Sequence, residues 1–261
     1  MLIKDRDLKA FEFLSEKFNL KKEENKLFFL KKVLKIFSEI PYENLTKIIE
    51  AENKNFEKKL RTPYYIIKDF FEKGGGGTCF SLVYFLKNFL EYLGFKPQFL
   101  LADRSYGENT HTLISLEIEG KKYLCDVGYL IYEPIPLESD LFKFKTSAYD
   151  FIYEERKDGI YVYTESEKGF KKFRFKIKKE KVSEDDFISA WKKSFEFEMM
   201  NHIIVSKEVK DGIIYIKDGH FHRIKEGKTF YKKIGEKEMI KILEELNIKR
   251  DLILKVKGFI K

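Results

Sequence analysis

The sequence predicts an α+β fold in which helices come first, strands follow, and both kinds of element mix toward the end. The first observation is that apolar residues recur at intervals of three and four up to about residue 95, which is the helical period. The second is that after Pro97 the apolar residues alternate with polar ones or form short runs, as they do in strands. The third is that helical and strand patterns are mixed after residue 183, without repeats or a linker-like segment.

Three helices are predicted in the first part of the chain. A helix over roughly residues 22–40 ends before Pro41, and its apolar face consists of Leu27, Leu30, Leu34 and Phe37. The segment TPYYIIKDFFEK predicts a short helix with Pro63 in its first turn and glycines after its last residue. A longer apolar helix is predicted to begin at Cys79 and to end at Gly94.

Strand patterns dominate the middle of the chain. The segments QFLLAD, THTLISLEIEG and KKYLCDVGY read as strands, and the last two form a hairpin that turns at Gly120. Further strands are expected near residues 149–154, 159–164 and 170–178. The segment SEDDFISAWKKSFEFEMM predicts a helix capped by Ser183, NHIIVSKEV and GIIYIKDG predict a strand pair, and GEKEMIKILEEL predicts a terminal helix.

The composition indicates a folded protein of the cytoplasm. With 261 residues and 43% apolar residues, the chain is long enough to form a sizeable core. It has no run of 18 apolar residues, and its charged start lacks the apolar core of a signal peptide, so no membrane contact is expected. Only two cysteines are present, Cys79 and Cys125, which fits a reducing compartment and, without CxxC or HExxH motifs, argues against a metal site.

The charge pattern excludes one class of partner. The net charge of +8 comes from lysines that alternate with glutamates, as on a solvated surface. Clustered arginines interleaved with aromatic residues are absent, so nucleic-acid binding is not expected. The excess positive charge also suits a small polyanionic ligand.

The segment EKGGGGTCFSL is the most unusual stretch of the sequence. A flexible linker is disfavoured because both flanks are apolar and helical, and a phosphate-binding loop needs Lys and Ser or Thr after the last glycine, where Thr78 and Cys79 stand. The remaining functional interpretation is a tight loop that leads into a helix beginning at Cys79. The first N–H groups and the dipole of a helix stabilise a thiolate and a developing oxyanion. A buried, inert cysteine remains the structural alternative.

A nucleophilic thiol needs a base and a group that orients the base. Of the four histidines, His202, His220 and His222 lack a supporting pattern, whereas His111 lies on the first strand of the hairpin that turns at Gly120. If Ile118 pairs with Lys121, Asp126 is the diagonal neighbour of His111 on the same face. We therefore expect the Asp126 carboxylate to accept a hydrogen bond from Nδ1–H of His111. The alternative is an aspartate at a strand end that faces water.

These residues and their order resemble the arylamine N-acetyltransferase family, which belongs to the wider superfamily of transglutaminase- and papain-like thiol enzymes. The blocks that match are GGTCF with Cys79, HTLISL with His111, DVGYL with Asp126, and PYENL, which runs from Pro41 to Leu45. Four blocks in the family order at compatible spacing are specific, although each block alone is a weak signal. The resemblance covers most of the chain.

The resemblance implies a particular version of the α+β fold and a division of the chain. Residues 1–95 form an N-terminal helical bundle with the nucleophile, residues 96–182 form a central antiparallel β-barrel with the histidine and the aspartate, and residues 183–261 form a C-terminal α/β lid.

The resemblance also implies an activity. Acetyl-CoA, as co-substrate, acylates Cys79, and an arylamine, hydrazine or similar amine then takes the acyl group in a ping-pong cycle, without a metal. His111 and Asp126 complete the catalytic triad. Gly76, Gly77 and Thr78 form the loop that binds the oxyanion. The oligomeric state is not predicted.

The family pattern further suggests four residues of the substrate pocket, and this chain departs from the pattern beside them. The pocket candidates are Tyr42, Glu43, Phe80 and Thr110. Gly75 stands where the family has an arginine that pairs with the glutamate of the PYENL block, so Glu43 lacks its usual partner. Arg61 or Lys73 is a hypothetical substitute. Thr78, Ser81 and Tyr42 also differ from the family pattern.

Two other functions remain open at this stage. One is a related thiol enzyme, an amide synthase or a transglutaminase- or protease-like hydrolase, which would turn over a glutamine, a peptide or a carrier-bound acyl chain. The other is a non-catalytic binding relative, since a fold alone does not fix a function. Reactivity of the Cys79 thiol separates the enzymes from the binding protein.

Overall fold

The computed structural model describes residues 3–166 and 168–259 and combines helices with two antiparallel sheets. The helices are α1 (Asp5–Lys17), α2 (Lys26–Glu39), α3 (Leu45–Ile49), α4 (Phe56–Leu60), α5 (Pro63–Lys73), α6 (Cys79–Tyr92), α7 (Glu184–Lys193), α8 (Glu236–Glu245) and α9 (Arg250–Lys257). The strands are β1 (Tyr42–Glu43), β2 (Gln98–Arg104), β3 (Gly107–Ile118), β4 (Lys121–Asp126), β5 (Ile131–Pro136), β6 (Leu141–Lys145), β7 (Asp150–Arg156), β8 (Gly159–Glu165), β9 (Lys171–Ile177), β10 (Ile204–Val209), β11 (Gly212–Lys217), β12 (His220–Lys225) and β13 (Lys228–Lys233).

Helix α6 is the centre of the N-terminal part. It is apolar on almost all sides, as expected for a helix that is surrounded by protein, and Phe85, Leu86 and Phe89 are completely buried. Phe85 packs between Phe11 of α1 and Phe37 of α2. The other face of α6 packs on β3 and on the turn after β4. The first residue of α6 is therefore fixed between the helical layer and the sheet.

The larger sheet has eight antiparallel strands in the order β5-β4-β3-β2-β9-β8-β7-β6 and curls into a nearly closed barrel. Its interior is an apolar cluster that includes Leu113, Leu124, Phe151, Val162 and Phe175. Strands β3 and β4 form a hairpin in which Ile118 pairs with Lys121, the register expected from the sequence. Positive φ angles at Glu119 and Gly120 form its tight turn.

The smaller sheet has the order β1-β10-β11-β12-β13, so it joins one short strand from the N-terminal part of the chain to four strands from the C-terminal part. Tyr42 pairs with Ser206 of β10 on one side and forms a parallel bridge with Gly77 on the other. Helices α3, α8 and α9 cover this sheet, and Val205, Ile216, Leu243 and Ile253 are buried between the layers. The PYENL segment thus lies between the glycine run and the C-terminal strands.

Most elements that the sequence predicts are confirmed, including the α+β class, the helices α5 and α6 and the hairpin β3–β4. Two boundaries were wrong. Helix α2 begins at Lys26, where the Asn25 side chain accepts from the Phe28 N–H, and α7 ends at Lys193 instead of continuing through Met200. Helices α1, α3, α4 and α9 were not predicted from the sequence. The division at residues 95 and 182 stays a prediction. In the described residues, no helix is both long and apolar enough to cross a bilayer.

Candidate active site

Cys79 is the first residue of α6 and lies at the wall of a cavity of about 1190 Å³. Only 5% of its surface is exposed, and it is a free thiol. Leu82 N–H donates to the carbonyl of Thr78, which starts the helical ladder one residue before the cysteine. In the described part of the chain the N–H groups of Thr78 and Cys79 have no acceptor, as is usual at a helix start.

The glycine loop before Cys79 is fixed by two charged side chains that bind opposite ends of one residue. The Gly76 N–H donates to Oε1 of Glu43 at 2.8 Å, and the Gly76 carbonyl accepts from Arg61 at 3.0 Å. Arg61 is 2% exposed and also pairs with Asp69 at 2.6 Å. A Cβ atom at Gly76 would lie 1.9 Å from the Pro41 carbonyl oxygen, so only glycine allows this approach.

These contacts show what replaces the arginine that the family pattern has at position 75 as the partner of Glu43. Arg61 binds the same loop as Glu43 but does not contact Glu43 directly. The Glu43 carboxylate instead accepts from the Gly76 N–H and from the N–H and hydroxyl of Thr46, at 2.8, 2.9 and 2.5 Å. Lys73 pairs with Asp69 at 3.0 Å. The loop therefore has charged supports on both sides without an arginine at position 75.

His111 and Asp126 form a buried pair on the hairpin β3–β4. Nε2 of His111 lies 2.8 Å from Oδ2 of Asp126, and both side chains are completely buried. Oδ1 of Asp126 accepts from the Tyr129 N–H at 2.9 Å, so both carboxylate oxygens have partners. The ring nitrogen that faces Asp126 is Nε2, whereas the sequence analysis expected Nδ1. Nδ1 is consequently the ring nitrogen turned away from Asp126, and His111 and the Cys79 thiol lie close enough to shift each other's pKa.

The charges around Cys79 shift its pKa against the effect of burial. Burial alone raises the pKa of the thiol, but the hydrogen bond to His111 and the charges of His111, Arg104 and Lys47 outweigh it, so the pKa of Cys79 is lowered. Burial alone lowers the pKa of His111, but the charge and hydrogen bond of Asp126 and the bond to Cys79 raise it. Both shifts favour a thiolate beside an imidazolium.

Gly128, in the turn Val127–Tyr129, is a part of the site that the sequence analysis did not explain. A Cβ atom there would lie 2.5 Å from Cβ of Cys79 and 3.4 Å from Cε1 of His111. The absence of a side chain therefore allows the turn after Asp126 to pack directly against the nucleophile. The glycine of the DVGYL block is required by contact rather than by its backbone angles.

The cavity contains most of the predicted pocket residues, and two predictions need correction. Tyr42, Phe80 and Thr110 line the cavity together with Cys79. Glu43 does not line it. This carboxylate is completely buried and accepts hydrogen bonds from Gly76 of the glycine loop and from Thr46.

The second correction concerns the residues predicted to bind the oxyanion. The N–H of Gly76 donates to Glu43 and that of Gly77 to the Pro41 carbonyl. Gly76 and Gly77 therefore shape the loop instead of presenting donors to a ligand. Thr78 retains its backbone N–H, as does Cys79 itself.

Two cationic side chains near Cys79 were missed by the sequence analysis. Arg104, at the end of β2, lies 3.2 Å from Nδ1 of His111 and 3.0 Å from the Tyr106 hydroxyl. Lys47 of α3 is 3% exposed, and Nζ donates to the carbonyl and the hydroxyl of Ser194 at 2.9 and 2.6 Å. Burial lowers the pKa of Lys47 to about 7. One signal was available for Arg104, because arginine is rare in this lysine-rich chain and marks positions that need a planar, always-charged donor.

Comparisons with known proteins identify the family. A family model described as N-acetyltransferase matches residues 27–252. The arylamine N-acetyltransferase of Escherichia coli strain K12 is 24% identical over 187 residues, which are 66% of this chain and 63% of that protein. The chain thus spans less than two thirds of the length of this relative.

Solved structures give the same result for the fold. The arylamine N-acetyltransferase of Mycobacterium abscessus superposes with a TM-score of 0.78 at 15% identity, covering 98% of this chain and 93% of the other. An arylamine N-acetyltransferase of Bacillus cereus, described as having a unique Cys-His-Glu triad, superposes with a TM-score of 0.69 at 16% identity, covering 93% and 97%. From the extent of the family match, the chain belongs to the arylamine N-acetyltransferases, a family of enzymes.

Proposed function

We propose that the protein transfers an acetyl group from acetyl-CoA to an arylamine, a hydrazine or a similar amine through a thioester on Cys79. In the first half-reaction the Cys79 thiolate attacks the thioester carbonyl, and a new carbon–sulfur bond forms as the bond to coenzyme A breaks. The coenzyme A thiolate leaves with the proton of the His111 imidazolium. Asp126 orients the ring and stabilises its charge.

In the second half-reaction the amine attacks the acetyl-cysteine. The carbon–nitrogen bond forms, the bond to Cys79 Sγ breaks, and His111 takes the proton that the amine loses. The N–H groups of Thr78 and Cys79 are suited to the oxyanion of both tetrahedral intermediates, because neither has an acceptor in the described part of the chain. Since the two substrates react in turn with the same thiol, the kinetics are ping-pong.

The observation that supports this proposal best is the buried His111–Asp126 pair beside a thiol at the start of a helix, where Cys79 and His111 both pack against Gly128. A buried histidine with a raised pKa and a buried cysteine with a lowered pKa are what a thiolate nucleophile requires. The cavity is also lined by more cations than carboxylates, which suits the phosphates of coenzyme A. We further propose a cytoplasmic location, because both cysteines are free thiols.

Intact-mass spectrometry after mixing the protein with acetyl-CoA tests the proposal. We expect a single acetyl adduct on Cys79, and its disappearance when an arylamine or a hydrazine is added. The Cys79→Ala protein should show no adduct, and Cys125→Ala, which removes the other buried thiol, should be acetylated. An unmodified wild-type protein with an intact fold would refute acetyl-CoA as the donor.

A further inference from the structure

Arg104 is a cation at the reacting centre that has no carboxylate partner in the described residues. It lines the cavity and is half-buried. Its contacts are Nδ1 of His111 at 3.2 Å, the Tyr106 hydroxyl at 3.0 Å, and the face of the Tyr129 ring, whose centroid is 5.5 Å from Cζ. Nε is buried without a hydrogen-bond partner. Once Cys79 is acylated and its thiolate charge is gone, this guanidinium has no anionic neighbour within hydrogen-bond distance among the described residues, so its donors are available for an anion.

The rest of the cavity has the same imbalance of charge. Six cations line it, none within 4.0 Å of a carboxylate in the described residues: Lys47, Arg104, Lys172, Arg174, Lys193 and Lys217. Two of the three lining carboxylates have a lysine within 4.0 Å, since Glu108 lies by Lys178 and Glu165 by Lys143, and Glu198 lies 3.7 Å from Nε2 of His202. The net positive charge of the wall is thus directed at a ligand rather than at the protein's own acids.

Of the six cations only Arg104 and Lys47 act on Cys79, and Lys47 is bonded to Ser194, whereas Arg104 contacts His111. The phosphates of coenzyme A are separated from the thioester by the whole pantetheine arm, so a thioester at Cys79 leaves them far from His111. Arg104 contacts Nδ1 of His111, the ring nitrogen that does not face Asp126. An anion bound by Arg104 must therefore belong to the acyl group or to the amine, close to the atoms that react.

We propose that Arg104 binds a carboxylate that one of the two substrates carries within a few bonds of the reacting carbon or nitrogen. The inference rests on the proposed acyl transfer. It requires that one of the two substrates, the acyl donor or the amine, carry a carboxylate. The carboxylate belongs either to a dicarboxylic acyl group, such as malonyl, or to an amine with a neighbouring carboxylate, such as 2-aminobenzoate. The carboxylate itself does not react: in either case one carbon–sulfur bond is exchanged, as in the half-reactions above. A bidentate guanidinium–carboxylate contact supplies both affinity and orientation.

The donor is tested by rapid-quench intact-mass measurements of Cys79 acylation by malonyl-CoA and by acetyl-CoA. The measured quantity is the ratio of the two rate constants, because any general effect of Arg104 on the thiol or on His111 acts on both and cancels. If the carboxylate is on the acyl group, Arg104→Gln lowers the malonyl-to-acetyl ratio by about tenfold or more. Arg104→Lys, which keeps the charge but not the planar fork, gives an intermediate ratio.

The acceptor is tested on the acetylated protein. The rate constants of deacetylation by 2-aminobenzoate and by its neutral analogue 2-aminobenzamide are compared in the same way. If the carboxylate is on the amine, Arg104→Gln lowers this ratio about tenfold or more and leaves the malonyl-to-acetyl ratio unchanged. Arg174→Gln is the matched control in both arms, because Arg174 lines the cavity without contacting His111, and its ratios should change less than those of Arg104→Gln.

The outcomes separate this inference from the proposed function. Equal ratios in the wild type and in Arg104→Gln, in both arms, overturn the inference while acyl transfer stands. If neither thioester acylates wild-type Cys79, the proposed acyl transfer is wrong. The carboxylate site at Arg104 is then tested by asking whether malonate protects Cys79 from alkylation. Malonate should then slow the alkylation of Cys79 by iodoacetamide in the wild type but not in Arg104→Gln; equal or absent protection in both proteins overturns the inference.

Discussion

The surroundings of the two cysteines differ in one respect that decides their chemistry. Cys79, at the start of α6, and Cys125, in β4, are both free thiols, with 5% and 0% of their surfaces exposed. Burial raises the pKa of both. For Cys125 the adjacent Asp126 raises it further, whereas for Cys79 the bond to His111 and the nearby cations reverse the direction. Burial is therefore common to the inert and the activated thiol, and the partners separate them.

Strand geometry explains how two neighbouring residues receive opposite roles. Cys125 pairs with Ile114 and points into the apolar cluster beneath α6, while Asp126, one residue later, points to the other side, toward His111. Successive side chains in a strand face opposite directions. The Asp126 carboxylate thus raises the pKa of Cys125. It also raises the pKa of His111, whose positive charge stabilises the Cys79 thiolate.

The largest expected difference is the reactivity of the two thiols toward iodoacetamide. At a mildly acidic pH of about 6, well below the ordinary thiol pKa of about 8.5, Cys79 should be alkylated faster than a model thiol, because its lowered pKa leaves more thiolate. Cys125 should remain unmodified while Cys79 reacts to completion. Peptide mapping of samples quenched over time measures both rates.

The alkylation rate of Cys79 relative to a model thiol should fall as the pH rises. The pair of thiolate and imidazolium exists above the lowered pKa of Cys79 and below the raised pKa of His111, so the advantage over a model thiol is greatest in that window and shrinks as the model thiol ionises at higher pH. An alkylation rate for Cys79 that follows the model thiol at every pH would contradict an activated thiolate.

Asp126→Asn should have the next largest effect. The Tyr129 N–H requires an acceptor, so the Asn oxygen is expected to remain there and its amide group to donate to Nε2 of His111. His111 then bears its proton on Nδ1 and cannot take one from Cys79. The acetylation rate should fall by about 10²- to 10⁴-fold, as when a triad aspartate is replaced by its amide. Rapid-quench intact-mass measurement with acetyl-CoA provides the rate.

Asp218→Asn is the matched control for this replacement. It removes another His–Asp contact of 2.8 Å, between His202 and Asp218, in which the aspartate is 42% exposed and does not line the cavity. If both amide variants slowed acetylation equally, the loss would reflect general disturbance, and the orienting role of Asp126 would be wrong.

The sequence predicted those parts of the fold that depend on local pattern. The helical period located α6 and its start at Cys79, and the turn at Gly120 fixed the register that brings His111 and Asp126 together. In a hairpin, alternation and one turn position determine which side chains meet. The proximity of His111 and Asp126 could therefore be predicted from short-range information, while their catalytic roles stay a proposal.

The parts that could not be predicted depend on contacts between distant segments. No pattern indicates that Arg61 binds the Gly76 carbonyl, that Asn44 donates to the carbonyls of Met199 and His202, or that β1 joins the C-terminal sheet. Each of these is a single hydrogen bond or a two-residue strand, too short to leave a periodic signal. Glu43 was consequently assigned to the substrate pocket, although its carboxylate accepts a hydrogen bond from the Gly76 N–H and holds the glycine loop.

Arg61→Gln tests whether the support of the glycine loop matters as much as the charges around the thiol. The variant loses the bond to the Gly76 carbonyl and leaves Asp69 without its buried partner. We expect acetylation to slow by about 10- to 100-fold, corresponding to the one or two charged hydrogen bonds removed. Stability to urea should fall as well, so rates are to be measured where both proteins are fully folded.

Lys73→Gln is the control for Arg61. Lys73 also pairs with Asp69, but it is 40% exposed, and exposed pairs contribute about 1 kcal/mol or less. Its acetylation rate should stay close to that of the wild type. Equal effects of the two variants would mean that the Asp69 charge, rather than the bond from Arg61 to Gly76, supports the loop.

Lys47→Met should have the smallest effect, and its pH dependence is diagnostic. Burial lowers the pKa of Lys47 to about 7, so the ammonium is present below that pH and is lost above it. The charge of Lys47 lowers the pKa of Cys79 less than the charges of His111 and Arg104 do, and its removal should slow alkylation at acidic pH by about two- to threefold, or roughly 0.5 kcal/mol. The two alkylation rates should converge as the pH rises through about 7, since the wild-type amine becomes neutral there. A ratio that stays constant across this range would mean that Lys47 acts through its bonds to Ser194 and not through its charge.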